Sequence, residues 1–243
     1  MKKAIIVMLA LLAVSVFSST AYAMDFGSLE SVQDTLIPDG KDAVIHQKIT
    51  AVTNANGEIA FPLYSKTEMV SIEAEKGSMA GNPEVVEYGD NKFNVVTFNE
   101  KESEVTFEVV VKKTGIYEGK KAKLGDTFPS GARTIEYKVV NSSPVAIKSY
   151  SVKMAAPEGK ELLNIVGYDA EEAFGITKED GMTFGGFDFE EVASGKEVKL
   201  AINIFSPMKI HSTLVWILSI LISAAFMFKN KDLLKGKAAV QQG

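Results

Sequence analysis

The chain has 243 residues, 46% of them hydrophobic and 23% charged, with a formal net charge of −5 and no cysteine. That balance is ordinary for a globular protein, and the missing cysteines exclude disulfides, thiolate nucleophiles and thiolate metal sites together. Phosphate-cradling, dinucleotide-binding, zinc-protease and nucleophile-elbow patterns are absent as well, so no common cofactor signature is present and no cofactor is expected.

Residues 1–23 read as a secretory signal peptide. Lys2 and Lys3 precede an apolar stretch from Ala4 to Phe17, and Ala21-Tyr22-Ala23 supplies the small-residue cleavage pattern. The stretch is shorter than the roughly 20 residues that a spanning helix needs, so cleavage before Met24 is expected. Over residues 24–39 the spacing of Phe26, Leu29, Val32 and Leu36 is near the helical period and predicts a short helix, closed by Pro38-Asp39-Gly40.

From residue 40 the period changes to two. Val70, Ile72 and Ala74 alternate with polar residues, as do Val105, Phe107, Val109 and Val111, then Ile135, Tyr137 and Val139, then Val198, Leu200, Ile202 and Ile204. Weaker strand patterns cover 43–52, 58–64, 83–88, 92–99, 145–154, 161–168 and 182–189, which makes eleven strands in all. Turn residues separate them at Asn56-Gly57, Gly89-Asp90-Asn91, Asn141-Ser142-Ser143-Pro144 and Ser194-Gly195. Short strands with few helical stretches between them predict an all-β fold. Residues 115–131 alternate little and read as a linker. Two tandem antiparallel β-sandwiches result, residues 40–114 and 132–206, with a single eleven-stranded domain as the alternative.

The second half carries Thr134-Ile135-Glu136-Tyr137-Lys138-Val139-Val140-Asn141, then Met154-Ala155-Ala156-Pro157-Glu158-Gly159, then Ser194-Gly195-Lys196-Glu197-Val198. This layout resembles bacterial immunoglobulin-like tail domains over about 75 residues. The resemblance implies an immunoglobulin-like sandwich with a spacer or binding role and brings no active site with it.

Between Lys209 and Lys229 lie 19 residues without Asp, Glu, Lys or Arg, and residues 210–228 are expected to form a transmembrane helix. Lys229, Lys231, Lys235 and Lys237 follow it, so the tail 229–243 is expected in the cytoplasm and the β region outside, in a bacterial inner membrane. Ser212, Ser219 and Ser223 share one helix face and are candidates for association with another helix. Residues 24–211 hold 20 basic against 30 acidic side chains, a net of about −10 that excludes a phosphate-binding nucleic-acid protein.

Candidate chemistry is sparse. His46 lies in a predicted strand and His211 at the expected membrane boundary, and both read as solvated or satisfied. The acidic segment 169–191 offers Asp169, Asp180 and Asp188 as ligands for a hard cation or as acids of a carboxylate hydrolase. Phe174, Phe184, Phe187 and Phe189 fall in the same segment and read as core. Asn141-Ser142-Ser143 matches a glycosylation acceptor. The expected function is a membrane-anchored, non-catalytic envelope protein whose exported domain binds another envelope component. The alternatives are an accessory subunit of a membrane complex and a carboxylate-based hydrolase.

Overall fold

A computed structural model describes residues 25–89, 91–122, 131–166, 173–207 and 212–231. Its first element is a strand, β1 (Ser28–Asp39), where the spacing of apolar residues predicts a helix. A bulge between Leu29 and Ser31 explains the difference, because the extra residue turns Leu29 and Val32 to the same side. Beyond it the buried positions are Val32, Asp34 and Leu36, a strand period hidden by a polar residue at its centre. Pro38 and Asp39 end β1, and Gly40-Lys41 is the two-residue hairpin turn into β2 (Asp42–Val52), with Gly40 at φ 63°.

The chain continues through β3 (Glu58–Pro62), β4 (Thr67–Lys76), β5 (Glu84–Tyr88), β6 (Asn91–Thr97) and β7 (Glu104–Lys113). It then runs through β8 (Lys120–Lys121), β9 (Arg133–Val140), β10 (Ile147–Ala155), β11 (Glu161–Val166), β12 (Ala173–Glu179), β13 (Met182–Phe189) and β14 (Glu197–Phe205). All eleven strands read from the alternation are present, and β1, β8 and β12 are additional.

The strands do not divide into two tandem sandwiches. They form three sheets, ordered β12-β13-β10-β1-β2-β7-β4, β11-β14-β9-β8 and β3-β6-β5. The seven-stranded sheet joins the two halves of the chain because β1 pairs in parallel with β10, from Leu29 opposite Ile147 to Leu36 opposite Met154. One core then draws on all three sheets, and the β region is a single unit ending at Phe205. Phe107 of β7 lies 5.5 Å from both Phe61 and Phe98, rings of the three-stranded sheet and its exit. The expected linker also takes part where it is described. A 3-10 turn at Ile116–Glu118 buries Tyr117, whose hydroxyl donates to the carbonyls of Leu36 (3.3 Å) and Ala155 (3.0 Å).

The second unit contains the helix α1 (Ser212–Lys229), whose apolar side chains from Leu214 to Phe228 are exposed. The expected transmembrane span is not supported: among the described residues no helix is long and apolar enough to cross a membrane. Eighteen residues cover about 27 Å at 1.5 Å each, and Ser212, Thr213 and Lys229 take three of those positions at the ends. That falls short of the ~20 mainly apolar residues a ~30 Å hydrocarbon layer calls for. The single-pass inner-membrane placement, and the orientation derived from it, lose their basis with the span. The expected signal peptide and most of the expected cytoplasmic tail lie outside the described residues.

Candidate functional site

Two places in the β unit gather polar chemistry, one sealed and one open. The sealed one centres on Asp34, which is 1% exposed. Its Oδ2 accepts the hydroxyls of Tyr64 (2.7 Å), Tyr137 (2.9 Å) and Tyr150 (2.7 Å), and its Oδ1 accepts Gln47 Nε2 (3.1 Å). Gln47 also donates to Tyr64 Oη. These groups come from β1, β2, β9, β10 and the connection between β3 and β4, so the cluster ties the seven-stranded and four-stranded sheets and that connection at one carboxylate. Burial raises the Asp34 pKa, and the four donors oppose that shift. Burial, with the Asp34 charge beside them, pushes the three tyrosine hydroxyls well above their ordinary range, which keeps them protonated as donors. Lys113 Nζ sits 5.1 Å above the Tyr137 ring, and burial lowers its pKa. With no solvent-facing member in the tyrosine–carboxylate group, its role is to fasten the sheets together.

The open site is a depression of about 470 Å³ on the face of the three-stranded sheet that looks away from the main core. Strand alternation places Glu58 and Ala60 of β3, Phe93, Val95 and Thr97 of β6, and Glu84 and Val86 of β5 on that face. Phe26 covers part of it, edge-on to Phe93 with ring centroids 5.4 Å apart, and Phe26, Ala60 and Phe93 form a small second core. Asn54 holds Phe26 there, because its side-chain amide donates both to the carbonyl of Asp25 (2.5 Å) and to Glu58 Oε2 (3.0 Å). The floor is therefore apolar, from Phe26, Val86 and Val95, and the polar lining includes two carboxylates and no cation. Glu58 pairs across to Thr97 and Glu84 to Val95, so the two acids stand on opposite sides of β6, about 12 Å apart by strand spacing. Glu84 has no ion-pair partner among the described residues, and its β5 neighbour Glu87 pairs with Lys92.

The residues singled out from sequence lie elsewhere. Asp180 is at the tip of the β12–β13 hairpin, with φ 49°, and Asp188 is an exposed residue opposite Ser151 and Ala173. Six strand positions from Met182 to Asp188 put them roughly 20 Å apart. Asp169 lies outside the described residues. No group of three His, Asp or Glu side chains able to hold a metal occurs among the described residues. Ser219 and Ser223 are exposed on α1, one turn apart, and the side chain of Ser212 is outside the described residues, as is His211. His46 Nδ1 lies 2.8 Å from Glu108 Oε1 on the outer side of the seven-stranded sheet, half exposed. Phe184, Phe187 and Phe189 are core residues as read. Asn141 is 2% exposed and its amide donates to the carbonyls of Val145 (2.9 Å) and Val192 (3.0 Å), so it serves as a turn brace and not as a glycan acceptor.

Sequence reasoning missed both sites for related reasons. Asp34 was hidden by the bulge that imitates a helical period. The signal for the depression is present in Val85-Val86 and Val95-Val96, where adjacent apolar residues on short strands show that both faces of that sheet need cover.

No family model matches the chain, and no curated protein does. Among solved structures, the chain is similar to an M1 zinc metallopeptidase from Deinococcus radiodurans, at TM-score 0.39 and 11% identity over 74% of this chain and 42% of that one. A mutant of such a peptidase from the same organism, bound to a Tyr-Ser-Ala substrate, gives TM-score 0.40 and 11% identity over 73% and 42%. A two-domain M1 zinc metallopeptidase mutant bound to L-tryptophan gives 0.40 and 10% over 74% and 43%. The chain thus spans less than half the length of these structures. A TM-score below 0.5 assigns this chain neither their fold nor their activity.

Proposed function

We propose that the β unit is a non-catalytic binding module for another protein, and that it takes a cationic group with an apolar neighbour at the depression over β3, β6 and β5. The observation that carries this reading is the composition of that surface: a concave apolar floor beside Glu58 and Glu84, with no lysine or arginine in its lining. Apolar area supplies the non-directional part of affinity, and carboxylates at its margin that have no ion pair among the described residues select charge. The excess of acidic side chains across residues 24–211 favours approach of the same class of partner.

The test is a pair of small probes of equal size and opposite charge, 4-phenylbutylamine and 4-phenylbutyrate, titrated into the full chain with its valine methyls labelled. The amine is expected to shift the Val86 and Val95 methyl signals saturably and the acid to leave them in place, with the amine effect weakened at least several-fold by Glu84→Gln. Equal response to both probes, or to neither, overturns the reading. Hydrolysis was the alternative raised by the acidic segment, and the M1 peptidases named above are peptidases by description. Cleavage of a fluorogenic peptide mixture by the purified chain, with and without added zinc, would replace the binding reading with that one.

A further inference from the structure

We infer that β5 is the docking edge of this module, and that its partner enters as an extended segment added as a fourth strand to β3-β6-β5. The inference rests on the binding reading above and specifies the partner's conformation and side-chain pattern. β5 pairs with β6 on one side and, among the described residues, with no strand on the other, which leaves alternate backbone N–H and C=O groups of Glu84–Tyr88 directed outward. Proteins commonly disarm such edges with bulges or with proline inside the strand. One of the two outermost strands of the seven-stranded sheet, β4, is disarmed in this way, with register shifts between Met69 and Ser71 and between Ala74 and Lys76. β5 keeps an unbroken register from Glu84 opposite Val95 to Tyr88 opposite Asn91, and Pro83 precedes it without entering it. Its large side chains are also uncovered, Val85 at 56% and Tyr88 at 53% exposure.

The side-chain pattern of the occupant follows from strand alternation. A strand laid against β5 places every second side chain on the same face as Glu84, Val86 and Tyr88, which is the face of the depression. The position beside Glu84 faces an unpaired carboxylate and calls for lysine or arginine. Two residues along, the position beside Val86 reaches the apolar floor and calls for an aliphatic side chain. The partner is therefore a polypeptide segment with a basic residue two positions from an apolar one, matched to this edge by charge as well as by shape.

The experiment uses two synthetic peptides with the full chain. One is acetyl-Thr-Lys-Thr-Val-Thr-Lys-Thr-amide, which carries the basic and apolar residues on one face and is symmetric enough to serve either strand direction. The other is the same peptide N-methylated at alternate residues on the side facing β5, so that it keeps its side chains and loses the ladder. Amide hydrogen exchange within Glu84–Tyr88 is expected to slow at least tenfold with the first peptide and to be unchanged with the second. Glu84→Lys is expected to weaken the first peptide by tenfold or more, while thermal unfolding of the variant confirms that it is folded. Equal binding of both peptides, or no change in β5 exchange with the first, overturns strand addition. If the phenylbutylamine response survives such a result, the depression still binds cations and only its mode of docking was wrong. If the amine response is absent and β5 exchange still slows, the depression reading fails and the edge alone is the docking element.

Discussion

Asp34→Asn keeps the shape of the side chain where the seven-stranded and four-stranded sheets meet and removes its charge. In the native chain four donors converge on the carboxylate: three tyrosine hydroxyls at 2.7–2.9 Å on Oδ2 and Gln47 Nε2 at 3.1 Å on Oδ1. The amide keeps one oxygen for the tyrosines and turns an NH₂ group toward Gln47, donor against donor. Bonds to a charged acceptor are worth about 1.5–3 kcal/mol and neutral ones about 0.5–1.5, while loss of the buried charge returns part of its desolvation cost. The net expectation is a loss of about 2 kcal/mol, against about 4 kcal/mol or more for Asp34→Ala, which leaves all four donors without an acceptor. The pH dependence carries the sharper test. Burial raises the Asp34 pKa, so the folded chain holds this proton to higher pH than the unfolded chain does. Its contribution to stability is complete below the unfolded value of roughly 3.9 and falls as pH rises through the folded value. The Asn variant has no such titration, so the gap between it and wild type narrows as pH rises above the unfolded value, by up to about 1.4 kcal/mol per unit. Urea denaturation of both full chains, followed by circular dichroism across that range, measures the gap. A gap that widens with pH refutes the dominance of burial over the four donors. A gap below about 0.5 kcal/mol throughout refutes a fastening role for the cluster.

Phe107→Ala removes the ring on which Phe61 and Phe98 both rest, and is expected to cost about 3–5 kcal/mol in the same denaturation assay, with the three-stranded sheet loosened most in amide exchange. Gly57→Ala is expected to cost about 2 kcal/mol or more. Gly57 sits at φ 85°, and a Cβ there would stand 2.2 Å from the Phe98 carbonyl oxygen, so strain and collision act together. A crystal structure of that variant with an unmoved turn would show the collision to be relieved elsewhere. Asn141→Asp exchanges an amide that donates to two buried carbonyls for a group that accepts only, and a thermal midpoint lowered by several degrees is expected, about 2 °C for each kcal/mol at this size.

Local periodicity carried most of the strand reading. The alternations at Val105 to Val111, Ile135 to Val139 and Val198 to Ile204 correspond to β7, β9 and β14, because each buries one face against the common core; the other face of β7 and β9 is at least partly open, whereas β14 also buries Ala201 and Asn203. The failures share a cause: a long-range partner reverses the local signal. β1 lies between β2 and β10 at the middle of a sheet, and its buried Asp34 is tolerable only because four donors meet there, one from the neighbouring β2 and three tyrosines from 30 to 116 residues away. Asn141 matches a glycosylation acceptor in sequence and is withdrawn from solvent by carbonyls four and 51 residues away. The division into two sandwiches failed because a parallel ladder between residues 29–36 and 147–154 leaves no mark on either segment alone.

The sequence by itself determined the all-β character of the chain between residues 40 and 205, the positions of most turns, the acidity of the β region and the absence of thiol chemistry, since each is a property of composition or of spacing within ten residues. Only the tertiary structure decided that one core replaces two, that Asp34 is held by three tyrosines, and that Glu58 and Glu84 face one apolar depression beside a free edge. Those features depend on which strands lie side by side, and pairing is settled by the summed burial of whole faces, a quantity that no single segment carries.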